Sequence, residues 1–174
     1  TRATVAKAKG LEPLAEIILA QEETKNIQEI AAEYISEEKE VKTVEEAIQG
    51  ALDIIAEMIS DNPEYRKLIK QIVYSKGIIK TTATKPEEKS AYEMYYDYSE
   101  NVNKIPSHRI LAINRGEKEE FLKVKIEKEE DKILEKIEKG IIKGENQFTQ
   151  YLKDTIQDSF KRLIEPSIER EIRS

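Results

Sequence analysis

The stretch Thr43–Asn62, TVEEAIQGALDIIAEMISDN, decides the fold class. Thr43 with Glu46 three residues on forms a capping box, which gives partners to amides that the first helical turn leaves open. Ala47, Ala51, Ile54, Ile55, Met58 and Ile59 then line one face at helical spacing. The two alanines early on that face leave room for a neighbouring helix to approach closely. Asp61-Asn62-Pro63 ends the helix and starts another, with Asn62 as its cap and Pro63 at its first position. This second helix carries Leu68, Ile69, Ile72 and Val73 and stops at Gly77.

Working back from Thr43, Ile27, Ile30, Ala31 and Tyr34 predict a helix over Ile27–Ser36. A helix beginning near Pro13 carries Leu14, Ile17, Ile18 and Gln21 along one edge, proline being favoured in the first turn. Gly10 fits the position after a helix end, where positive φ is required, so Thr1–Lys9 reads as the end of a helix.

Working forward, Thr81–Lys85 reads as a polar linker, and a helix is expected over Glu87–Tyr98. Asn101–Pro106 reads as a loop, after which Ser107 caps a short helix ending at Asn114, before Gly116. Leu122, Val124 and Ile126 alternate with lysines, a period of two that marks residues 121–127 as the one strand candidate. A lone strand is not stable, so this segment either pairs with a part of the protein outside this chain or is helical. Helical spacing returns with Ile133, Leu134, Ile137 and Ile141, and again over Asn146–Ile164, where Pro166 breaks or kinks the run. The expected fold is therefore mostly all-α, a multi-helix bundle with one short strand near 121–127. It divides into a helical subdomain over 1–80 and a second over 81–174, or forms one continuous domain.

Composition bounds the function. Of 174 residues, 39% are hydrophobic and 37% charged, with 6 glycines and 5 prolines, which suits long helices under a highly charged surface. No cysteine is present, so disulfides and thiolate metal sites are excluded, and a reducing, cytoplasmic setting is expected. No apolar run approaches the roughly 20 residues that span a bilayer, so no membrane partner is expected. A net charge of −6 counts against nucleic-acid binding by bulk charge while leaving a local basic patch open.

The candidate constellations each carry a plain structural reading. Asp53, Glu57 and Asp61 share a helix face that suits a hard cation and equally suits a solvated stripe. His108 is the sole histidine and has no cysteine to join it in a zinc site. With Arg109 and Arg115 it sits at a helix start where amides and guanidinium favour an anion; the alternative is an arginine packed and hydrogen-bonded between helices. Lys7 and Lys9 add a basic patch near the start of the chain. Tyr92, Tyr95, Tyr96 and Tyr98 suit base stacking or, more simply, packing. The chain has no phosphate loop, nucleophile elbow or HExxH, so no catalytic residue, metal site or cofactor is expected.

Three stretches together resemble a known family: GLEPLA at Gly10–Ala15, AIQGALDIIAEMISDN at Ala47–Asn62, and SHRILAINRGE at Ser107–Glu117 followed by Phe121-Leu122. They are similar to the N-terminal helical region of the Tex family of bacterial transcription accessory proteins. Phe160–Ile164 with Pro166-Ser167 and Glu169–Glu171 resembles the helix leading into that family's YqgF-type domain. The resemblance adds helix-turn-helix-like character to the bundle and implies a segment of a longer chain that continues into YqgF-type, helix-hairpin-helix and OB-fold domains. It implies that the full-length protein binds nucleic acid, chiefly through its C-terminal domain, and serves the transcription machinery. The function expected is a helical scaffold and interaction region. The alternative makes this segment itself a nucleic-acid-binding helix-turn-helix-like module using His108, Arg109, Arg115, Lys7 and Lys9.

Overall fold

A computed structural model describes residues 1–174. The elements run α1 (Arg2–Ala8), α2 (Glu12–Ala20), α3 (Ile27–Ala32), α4 (Val44–Asp61), α5 (Pro63–Lys76), β1 (Ile78–Ala83), β2 (Asp97–Asn101), α6 (Ser107–Lys118), β3 (Leu122–Glu127), α7 (Glu130–Ile141), α8 (Thr149–Asp158) and α9 (Glu165–Arg173). A 3-10 turn covers Glu93–Tyr95, and a π-helical turn covers Ser159–Ile164. The protein is mostly helical, with one small sheet. Two compact units interleave along the chain, one of Thr1–Tyr65 with Leu134–Ile164 and one of Arg66–Ile133 with Glu165–Ser174.

The first unit is built around α4, against which α1, α2, α3, α8 and the π-helical turn all pack. Thr43 Oγ1 accepts the Glu46 amide at 3.0 Å, while the Glu46 carboxylate reaches the Lys42 amide at 2.9 Å. The cap therefore closes one residue earlier than the usual box. Ala47, Ala51, Ile54, Ile55 and Ile59 are buried as the spacing predicts. Met58 is not, being 51% exposed, and the buried surface extends instead to Ile48, Leu52 and Ala56. Packing partners on several sides explain this wider face. Asn62 Oδ1 accepts from Glu64 and Tyr65 amides, capping α5. Phe148, Leu152, Ile156, Phe160 and Ile164 complete the core, with Ser159 donating to the Ala56 carbonyl at 2.6 Å.

The expected helix over Asn146–Ile164 is shorter and changes pitch. Pro166 lacks an amide proton, and its ring crowds the carbonyl four residues back, so the wider π-helical turn just before it absorbs the conflict within a continuous run. Upstream, α3 stops at Ala32 rather than Ser36, and Ser36 forms a bridge with Val41.

The second unit corrects the reading of residues 78–101. The sheet order is β2-β1-β3, all antiparallel, with Ile79 opposite Glu100 and Ile126. The supposed linker is the end of β1, and the supposed helix over Glu87–Tyr98 is a turn, a 3-10 turn and the start of β2. Ile78, Ile79, Thr81 and Thr82 are β-branched and suit a pleated strand. The tyrosines fall at helical spacing, but strand pairing with β1 wins over that local pattern. The strand expected near 121–127 is β3, and it pairs within this chain, edge on β1. One face of the sheet is core, with Ile79, Thr81, Leu122 and Ile126 buried, and the other carries exposed Lys80, Lys123 and Lys125. Thr81 Oγ1 donates to the Tyr95 carbonyl at 2.6 Å, tying the centre strand to the 3-10 turn.

Helix α6 runs on through Gly116 to Lys118 rather than ending at Asn114. Gly116 is there for closeness: a Cβ would sit 2.5 Å from Leu122 Cδ1. Glu120, at φ 67°, makes the left-handed turn into β3.

A candidate interaction surface on helix α6

The residues read from sequence as an anion site separate once folded. Arg109 turns to the neighbouring strand β2, where its Nη1 donates to Glu100 Oε1 at 2.9 Å and Oε2 at 3.1 Å, and to Tyr98 Oη at 3.2 Å. Tyr98 in turn donates to Glu100 Oε1 at 2.5 Å. The strand alternation places Tyr98 and Glu100 on the same side of β2. The Tyr98 hydroxyl and the Arg109 guanidinium hold the Glu100 carboxyl below the usual carboxylate range, and Glu100 pushes Arg109 upward in return. Arg109 is thus a structural arginine with its charge already matched.

His108 and Arg115 are exposed, and neither takes part in an ion pair. With Leu111 and Lys118 they fall on one stripe of α6, at spacings of three, four and three residues on a helix of about 3.6 residues per turn. Leu111, at the middle of the stripe, is 65% exposed. Beside it runs a shallow groove of about 630 Å³ lined by Leu111, Asn114, Arg115, Lys118 and Glu119. Asn114 is engaged with Arg173, donating to its carbonyl and accepting from Nε, each at 2.8 Å. Glu119 accepts from the Tyr92 hydroxyl. The groups left open toward solvent are a leucine and cations.

Lys7 and Lys9 lie at the end of α1, in the other compact unit, so the five candidate residues divide between units. Asp53 accepts from Gln49 at 2.9 Å, and together with Glu57 and Asp158 it lies in the field of Arg162, whose guanidinium grips Asp158 at 2.9 Å. That carboxylate stripe is therefore partly neutralised. Of the tyrosine group, Tyr95 and Tyr92 are buried, Tyr95 standing edge-on to Tyr98 at 5.3 Å and Tyr92 tilted on Phe121 at 5.9 Å. They pack as a structural cluster.

Lys118 escaped the sequence reading because α6 was ended too early at Asn114, and Leu111 because its place inside the expected helix does not by itself show that it faces solvent. Glu100 escaped because β2 lay inside a supposed helix. The spacing His108, Leu111, Arg115 was visible in the sequence and would have found the stripe.

By class this is a mostly helical segment with one small antiparallel sheet. The model of the Tex central region-like family matches residues 22–174. A Bacillus subtilis relative, called only the uncharacterized protein YdcI, is 54% identical over 99% of this chain and 25% of its own length. Protein tex of Bordetella pertussis is 33% identical over 75% of this chain and 17% of its own. The transcriptional accessory protein Tex of Neisseria gonorrhoeae is 29% identical over 75% of this chain and 17% of its own. The chain belongs to the Tex family, corresponding to its central region, and spans a quarter or less of the length of these relatives.

Proposed function

We propose that this chain is a helical scaffold and interaction region of a Tex-like transcription accessory protein, without catalytic chemistry of its own. In this reading the full-length protein binds nucleic acid through other domains, of YqgF, helix-hairpin-helix and OB-fold type. The segment positions those domains and meets transcription proteins in the cytoplasm. The observation that carries the reading is the commitment of Arg109, the best anion-binding candidate, to Glu100 and Tyr98. The net charge of −6 supports it, since a polyanion meets an unfavourable field over most of the surface. The groups with shifted ionisation support it too: Glu100, Glu171, Arg109 and Arg162 each have a neighbouring partner of opposite charge, as in a structural ion pair.

The second reading makes the segment itself a nucleic-acid-binding, helix-turn-helix-like module. What favours it is the set of cations Arg115 and Lys7, neither in an ion pair, with the exposed imidazole of His108. Fluorescence anisotropy against labelled single- and double-stranded DNA and RNA, at about 50 and 200 mM salt, separates the two. The scaffold reading expects no saturable binding at either salt. Binding that weakens steeply with salt and drops in an Arg115→Ala, Lys7→Ala double variant would replace it with the second reading.

A further inference from the structure

We propose that the exposed stripe of α6 is a docking surface for an acidic amphipathic helix, one that presents a leucine-sized apolar side chain between carboxylates. This rests on the interaction-scaffold reading and names the partner chemistry of its surface. Leu111 stands 65% exposed at the centre of the stripe, with His108 one turn before it and Arg115 and Lys118 after it. Several other cations of this unit are held close to acids. Lys128 lies 2.8 Å from Glu165 and 3.0 Å from Glu169, Arg173 lies 2.5 Å from Glu117, and Lys70 lies 3.0 Å from Glu171. The α6 stripe combines Arg115 and Lys118, neither in an ion pair, with an apolar centre, and the groove beside it gives room for a side chain.

The two elements of the stripe ask for different things from one partner. Leu111 gains only from an apolar surface that removes it from water. A phosphate backbone offers none. The cations gain from carboxylates at the rim, where charge sets register and encounter rate more than affinity. A helix with apolar residues one turn apart and acids on either side supplies both, the usual groove-and-helix mode of peptide recognition. A short acidic segment also carries far less charge than a nucleic acid against the −6 of this chain.

The test follows the amide NMR spectrum of the whole 174-residue chain as ligands are added. The probes are a synthetic helical peptide with two leucines one turn apart flanked by glutamates, the same peptide with serines for the leucines, a single-stranded RNA and a duplex DNA. The expected result is shifts confined to His108–Lys118 with the leucine peptide. Affinity should fall at least about fivefold for the serine peptide, and likewise for Leu111→Ser and Arg115→Glu chains. Both positions are exposed, so neither variant disturbs folding, and their unperturbed spectra serve as the control. Equal binding of the two peptides would reduce the surface to charge attraction and overturn the proposal. Shifts at α6 with RNA or DNA but not with the peptide would overturn it in favour of a nucleic-acid surface. A well-dispersed spectrum unmoved by any probe would remove the docking surface and leave the scaffold reading standing. A collapsed spectrum, showing no folded chain, would remove both.

Discussion

Arg109 shows how a single residue changes meaning once its neighbours are known. Beside His108 at a helix start it reads as an anion ligand; beside Glu100 and Tyr98 it is a clasp between α6 and β2. The clasp has a pH signature. The Glu100 carboxyl is held below its ordinary value of 4.5, first by the Tyr98 hydroxyl and then by Arg109. A carboxyl depressed in the folded state stabilises it above the unfolded value, and that contribution is lost as pH falls from 4.5 through the lower folded value. Glu100→Gln removes the titration. Its melting temperature should lie a few degrees below wild type at neutral pH, a modest gap because the pair is partly exposed. The gap should narrow as the melts are repeated under progressively more acid conditions below 4.5. A gap that held constant into strong acid would show that Glu100 acts by packing alone.

At the scale of elements, two substitutions test why the helices sit where they do. Ile55 is fully buried on α4, against which α1, α2, α3 and α8 all pack, so Ile55→Ala should cost ~2–5 kcal/mol in chemical denaturation. An unchanged midpoint would mean that α4 is not the centre of the core. Gly116 sits in the last turn of α6, where alanine is worth up to roughly 1 kcal/mol more by propensity. Yet its Cβ would lie 2.5 Å from Leu122 Cδ1 and 3.1 Å from Tyr92 Cδ1, so Gly116→Ala should destabilise by ~1–3 kcal/mol. Stabilisation instead would show that Leu122 moves aside freely. These positions also mark how far local pattern reaches. The capped, strongly periodic helices, the caps at Thr43 and Asn62, and the strand at 122–127 were legible because their signals are local. Strands β1 and β2 were not, because Tyr98 and Glu100 take their place from pairing with residues about twenty positions earlier. Gly116 misled for the same reason: a glycine that ends a helix and one that admits Leu122 look alike in sequence. The stripe of α6 was half legible, His108 and Arg115 by type, Lys118 only once the helix ran its full length, and Leu111 only once its exposure was known.

For the molecule as a whole, the governing fact is that its two units interleave in sequence. The chain leaves the first unit within α5, returns to it within α7, and passes at Ile164 into the last helix of the second. Helix α9 therefore belongs to the unit that contains the sheet, although some thirty residues of the other unit separate them. Its ties there are specific. Ile168 is buried, Ser167 bonds Arg66, and Arg173 bonds Asn114 and Glu117 of α6. Lys128, only 8% exposed, is held by Glu165, Glu169 and the Ile126 carbonyl at the end of β3. A chain stopped after Ile164 strips all of these from the second unit and none from the first. Local stability follows buried contacts rather than sequence distance, so hydrogen exchange should separate the two. In the shortened chain, amides of α6 and β3 should exchange much faster than in the full chain, while those of α4 keep their protection. Lys128→Ala should do the same more weakly, at a cost of ~1–3 kcal/mol, since it removes the cation that bridges Glu165, Glu169 and the Ile126 carbonyl. Equal loss of protection in α4 and α6 would mean that the units unfold as one body, and unchanged protection in α6 would mean that α9 is not part of its fold.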